Sequence, residues 1–242
     1  MSVHTLTFPN TSSPSYARTR YHFLLQVIYG ETVAIDYCQR MASFAPNEET
    51  KNFLLKQQNE EDKHLEQLTE YASIHSRADM PISWYLRKLD EIMRDAIVDR
   101  DYVASVFIQN FIVEGLNISL LEELEHHGDA ELSALCTSII KDEVGHMQFG
   151  VDEVIRILRD DKDGTVTKRL ISLQRRTLFY ATGLAMVLGR EAKNLGIPLN
   201  EFAEKTIQAH AKRVEDAQFP LPFIDRILFD VALLFLKVAG RF

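Results

Sequence analysis

The sequence predicts an all-α fold. Apolar residues recur at spacings of three and four over most of its 242 residues. No run alternates apolar and polar residues between turn signals at strand spacing, and the strongest breaks, at Ala45-Pro46, Gly128-Asp129 and 160–164, divide long periodic stretches. A first helix is expected from about Ser15 to Phe44, with Phe23, Val27, Ile28, Ala34, Ile35 and Cys38 on its apolar face. Ala45-Pro46 ends it. Asn47 is suited to cap a second helix, with Glu48 and Glu49 in the first turn where the helix dipole favours acids, and that helix runs to about Ser76. A shorter amphipathic helix, Pro81 to Val98, reads as a crossover. Two long helices follow, Tyr102 to His127 and Ala130 to Arg159, and then helices over roughly 166–195, 200–217 and 222–239. Residues 1–14 read as a flexible arm and 15–242 as one domain, since no linker rich in Pro, Gly or Ser divides them.

Composition narrows the functional classes. With 46% hydrophobic and 26% charged residues the chain is that of an ordinary globular protein, long enough to bury a core without a staple. Its formal charge of −8 argues against a nucleic-acid partner, which would need a basic footprint. The start, MSVHTLTFPNTSSPS, lacks the basic and apolar regions of a signal peptide. The apolar stretch Leu221 to Ala239 is interrupted by Asp225, Arg226, Asp230 and Lys237, so no membrane span is expected. Two cysteines, Cys38 and Cys136, without CxxC spacing fit reduced thiols and a cytoplasmic location.

The chemistry lies in an internal repeat. Glu31 on the first helix is followed thirty residues later by Glu61-Asp62-Lys63-His64 on the second; Glu114 on the third long helix is followed twenty-nine residues later by Glu143-Val144-Gly145-His146 on the fourth. Residues three apart share a helix face. A Glu from each of two helices with a Glu-x-x-His from each of the other two is the two-metal pattern of ferritin-like four-helix bundles. Taken singly, a helical Glu is usually solvated, but Glu31 and Glu114 close the apolar runs Phe23–Gly30 and Val106–Val113, where a carboxylate is costly unless paired or metal-bound. Four carboxylates offset the charge of two divalent ions and leave coordination positions for dioxygen, a set that suits iron or manganese better than zinc. Gly30, Gly115 and Gly145 stand beside candidate ligands, each at about 1 kcal/mol against Ala in a helix interior, and suggest a need for space or for a π-bulge. Gln109 and Asp142 are candidates to assist catalysis, Gln109 from the pocket and Asp142 by orienting a ligand histidine. His126-His127 reads as a helix-end cap. His4, His22, His75 and His210 have no partner at a metal-binding spacing.

Ile28-Tyr29-Gly30-Glu31, Glu61-x-x-His64, Ile108-Gln109-x-Phe111-Ile112-x-Glu114 and Asp142-Glu143-x-x-His146 resemble the cyanobacterial aldehyde-deformylating oxygenases, over about residues 21–240. The resemblance implies a ferritin-like domain whose six ligands are Glu31, Glu61, His64, Glu114, Glu143 and His146, with Gln109 in the pocket. It also implies two iron ions or a manganese–iron pair, dioxygen as co-substrate, an electron-donor protein such as a ferredoxin, and conversion of a fatty aldehyde to an alkane and formate. Leu121 stands where that family has a tyrosine, and Ala72 where it has a cysteine. Leu68 stands where ribonucleotide reductase small subunits, which share the ligand pattern, carry their radical tyrosine. The apolar residues of the later helices, Leu178, Phe179, Leu184, Met186, Val187, Leu188, Phe229, Leu233, Leu234 and Phe235, suit either an acyl pocket or core. An oxygenase acting on an apolar substrate is therefore the leading expectation, as a monomer or small homo-oligomer. Hydroxylation or N-oxygenation of a small metabolite, and ferroxidase or iron-storage activity, are the alternatives.

Overall fold

The computed structural model describes residues 14–75, 80–196, 199–222 and Asp225, and no strand occurs among them. Helix α1 spans Pro14–Ala42, α2 Glu48–His75, α3 Trp84–Val98, α4 Tyr102–Val106, α5 Glu114–His127, α6 Ala130–Asp160, α7 Thr165–Ala192 and α8 Leu199–Asp216. Between α4 and α5 the chain continues without a break through a π-helical segment, Phe107–Val113. The helix expected over 222–239, including Phe229, Leu233, Leu234 and Phe235, lies outside the described residues save for Pro222 and Asp225, as does the arm up to residue 13.

Local signals set the ends. The Asn47 side chain accepts from the Thr50 amide at 2.8 Å, Asp101 from Ala104 at 3.0 Å and Asp129 from Leu132 at 3.0 Å, each satisfying one of the amides a helix start leaves free. Helix α3 starts at Trp84 rather than Pro81, because Ser83 is extended and its amide is held by the Gln26 side chain at 2.9 Å. Helix α7 stops at Ala192, and a 3₁₀ turn, Lys193–Leu195, closes on Gly196 at φ +82°.

The α1/α2 hairpin packs on α5 and α6, giving a four-helix, ferritin-like bundle with α3, α7 and α8 around it. Two apolar clusters fill it. One holds Phe23, Leu24, Leu68, Leu121, Leu124, Leu132 and Cys136; the other holds Cys38, Met41, Leu54, Phe107, Phe111 and Val154. Each bundle helix passes from one cluster to the other: α1 and α6 in one direction, α2 and the α4–α5 helix in the opposite one. Two consecutive bundle helices running the same way need a connection that returns the chain, and α3 supplies it, with Leu86 and Leu89 in the first cluster and Ile92, Met93 and Ile97 in the second. The crossover reading of this segment follows from that topology. Cys38 and Cys136, both free and buried, fall in opposite clusters. The continuous helix Tyr102–His127 is long and apolar enough to cross a membrane by length and composition, but 78% of its apolar window is buried inside the bundle.

Candidate metal centre

Between the two apolar clusters lies a polar layer. Each bundle helix brings to it the acid or imidazole that follows or precedes its apolar run: Glu31 from α1, Glu61 and His64 from α2, Glu114 from α5, Glu143 and His146 from α6. All six are buried, none more than 3% exposed. They form two groups whose ligand atoms lie within 4.8 Å of one another, Glu31, Glu61, His64 and Glu143 in one, Glu61, Glu114, Glu143 and His146 in the other. Glu61 and Glu143 belong to both. His64 Nδ1 lies 3.3 Å from Glu61 and 3.5 Å from both Glu31 and Glu143, and His146 Nδ1 lies 3.3 Å from Glu61 and from Glu143.

The other ring nitrogens face outward to a matched pair of acids. His64 Nε2 meets Asp142 at 3.3 Å, and His146 Nε2 meets Glu60 at 3.1 Å. Each acid precedes the Glu-x-x-His of the opposite helix, so α2 and α6 orient one another's histidines. A carboxylate that takes the Nε2 proton leaves the Nδ1 lone pair pointing inward. Asp142, expected to orient a candidate ligand histidine, is the acid that meets His64. Glu60 was missed, although the repeat of an acid before each Glu-x-x-His carried the signal.

Two buried amides, Gln57 and Gln109, and one half-buried, Asn117, complete the layer. Gln109 Nε2 donates to Glu114 at 3.0 Å. Gln57 Nε2 donates to Glu114 at 2.8 Å and to Glu61 at 3.0 Å, and Asn117 Nδ2 to Glu31 at 3.0 Å and Glu143 at 3.4 Å. Sequence reasoning found Gln109 but neither Gln57 nor Asn117. The π segment aims Gln109 inward, and it lies so close to α6 that a Cβ on Gly150 would stand 2.4 Å from the Asn110 backbone. Of the glycines beside the candidate ligands, Gly115, two residues beyond that segment, would with a Cβ meet the Arg213 guanidinium at 2.1 Å, whereas a Cβ on Gly30 or Gly145 would meet nothing within 4 Å.

Electrostatics follow from crowding. Burial, with the Glu61 charge adding to it, pushes the Glu31 carboxyl well above the usual carboxylate range; burial and the Glu143 charge do the same to Glu114. Burial would raise Glu61 too, but the two imidazoles beside it, His146 and His64, hold it low. Burial would lower both imidazoles, yet the surrounding carboxylates raise them far above their ordinary value. Among the described residues no lysine or arginine pairs with any of the four glutamates.

A small cavity of about 50 Å³ adjoins the layer, bordered by Tyr29, Glu31, Tyr37, Gln109, Glu114 and Asn117. Leu121, fully buried in the first apolar cluster, does not border it. Leu178, Phe179 and Met186 line a separate, larger cavity, while Leu188 is core.

Among solved structures, "Protein 19 with aldehyde deformylating oxidase activity" from Synechococcus matches with a TM-score of 0.77 over 95% of this chain and 99% of that one. The two share one fold. At 17% identity the likeness carries the architecture alone. No protein-family model and no curated protein matches the sequence. His22, which has no ligand spacing, bonds Glu191 at 2.5 Å, and the His127 carbonyl accepts from Tyr16.

Proposed function

We propose that this chain is a di-iron oxygenase acting on an apolar organic substrate, with conversion of a fatty aldehyde to an alkane and formate as the leading reaction. The observation that carries the reading is the pair of four-residue ligand groups sharing Glu61 and Glu143. The donors fit the ions: carboxylate oxygens and imidazole nitrogens suit iron or manganese, and Glu31 Oε2 and His64 Nδ1 are buried with no hydrogen-bond partner, which an ion would complete. Glu31 and His64 would hold one ion, Glu114 and His146 the other, with Glu61 and Glu143 between them. Ferrous ions held there supply the electrons and open coordination positions that dioxygen reduction requires.

The protein's own groups do the rest. Asp142 and Glu60 hold the imidazoles by their Nε2 protons. Gln57, Gln109 and Asn117 hold carboxylate oxygens in place, so that the ligands need little reorganisation when ions enter. The two apolar clusters exclude water from both ends of the layer. An external electron donor, such as a ferredoxin, would be needed, and two buried free thiols fit a reducing compartment.

Metal analysis of protein loaded with ferrous iron should give about two ions per chain; a value near zero ends the proposal. The reduced protein, given dioxygen, an electron donor and a long-chain aldehyde, should release formate and an alkane one carbon shorter. One observation favours a second reading: the cavity at the layer, about 50 Å³, suits a small molecule better than a chain. Hydroxylation or N-oxygenation of a small metabolite would consume oxygen without formate, whereas a ferroxidase would turn over ferrous iron with no organic substrate.

A further inference from the structure

A cavity of about 350 Å³ lies among α5, α7 and α8, within the range of small-molecule pockets. Ile112, Leu116, Leu178, Phe179, Ala185 and Met186 give it an apolar wall. Four buried polar side chains interrupt that wall, Gln174 of α7, His210 and Arg213 of α8, and Asp225, with Arg213 and Gln174 at 6% and 2% exposure. The Arg213 head lies against Gly115. One terminal nitrogen is 3.2 Å from His210 Nδ1 and the other 3.7 Å from Met147 Sδ, while Nε has no hydrogen-bond partner. Among the described residues no carboxylate pairs with it. Asp225, which borders the same cavity, is engaged by Arg175 through bonds of 2.6 and 3.0 Å. Gln174 Oε1 is likewise buried without a partner.

A guanidinium out of water without an anion is costly. Burial draws its pKa down to about 10, which leaves it charged at neutral pH. A group that completes it must therefore accept hydrogen bonds and carry negative charge, and whatever is attached to that group must fill an apolar space. We propose that this cavity binds an amphipathic carboxylate, its hydrocarbon chain against Leu178, Phe179 and Met186 and its carboxylate on Arg213. Gln174 borders the same cavity, and its unpartnered Oε1, an acceptor, does not serve the carboxylate. The site is separate from the metal layer, since Leu116 is the residue common to the linings of the two cavities; it does not rest on the di-iron reading.

The test titrates dodecanoate and dodecanol, each below its aggregation threshold, into the full chain by calorimetry, with and without bound iron. Dodecanoate should bind once per chain, about tenfold or more tighter than dodecanol, the equivalent of one charge-assisted hydrogen bond, and equally in both metal states. Arg213→Met, which keeps the bulk and removes the charge, should erase that preference. Ala185→Phe keeps the charge and fills the space, so it should abolish binding of both probes even where Arg213→Met fails to fold. No binding of dodecanoate, equal binding of the alcohol, binding indifferent to both substitutions, or binding that appears only with iron would each overturn the proposal.

Discussion

Two buried acid clusters face the same small cavity, and they are built on opposite principles. On α3, Asp90 accepts from Tyr29 at 2.8 Å, from the Tyr37 hydroxyl, and from Arg94 at 2.8 Å. One carboxylate meets three donors, one of them a cation, so the group is complete within the protein. Across the cavity, four glutamates share two imidazoles and three amides, with no lysine or arginine among their partners in the described residues. That cluster is incomplete by charge, and only protons or metal ions can complete it. A polar network that closes on itself serves architecture; one that the chain leaves open is positioned for something the chain does not contain.

Glu143→Gln should separate the two principles most sharply. It removes a carboxylate common to both ligand groups, so bound iron should fall from about two ions per chain to one or none. The stabilisation by ferrous iron, about 4 kcal/mol at a thousandfold excess over its dissociation constant, should vanish. The same substitution without metal should leave the melting temperature unchanged or raise it, because it thins a crowd of like charges. A lower melting temperature without metal would mean that the cluster is as closed as the Asp90 network. Glu60→Gln and Asp142→Asn should each weaken metal affinity by about 10–100-fold. The larger loss is expected at Glu60, whose side chain is 16% exposed against 43% for Asp142; competition with a metal-sensitive dye measures both.

Asp90→Ala tests the other cluster. It removes the carboxylate that accepts from the buried Tyr37 hydroxyl and leaves only the backbone carbonyl of residue 90 at 3.2 Å, a loss of about 1 kcal/mol, read by denaturant unfolding and the same with or without iron. Metal content should not change. The smallest effect concerns pH. Glu31, Glu114, His64 and His146 all have pKa values raised in the metal-free layer, so metal entry must displace protons and affinity should fall as pH falls. Burial and Asp90 together push Tyr29 up to about 12 and raise Tyr37 as well, so those phenols keep their protons at neutral pH. Calorimetry in buffers of different ionisation enthalpy counts the protons released, and none released between pH 6 and 8 would erase the contrast.

The six residues of the candidate metal layer were legible because helical period puts residues three apart on one face and because an acid at the end of an apolar run is conspicuous. Gln57 and Asn117 were not, since a polar residue on a helix is ordinarily solvated and only the rotation of packed helices turns these inward. Gly115 beside Glu114 pointed to space or a π-bulge, but the extent of the π segment over Phe107–Val113 was not legible, because a spacing of three and four does not register one added residue within a turn. Arg213 reads as the solvated side of an amphipathic helix until α5 and α7 cover it.

The division of the core by the polar layer has a kinetic consequence. Cys38 and Cys136 sit in opposite halves, and burial raises both thiols, Cys136 to about 12. Neither can be alkylated until its own half opens. With the layer holding only repelling acids and protons, the halves need not open together, and labelling should proceed at two distinct rates. Ions gripped by all four helices would tie the halves into one cooperative unit, and the two rates should then converge on that of global unfolding.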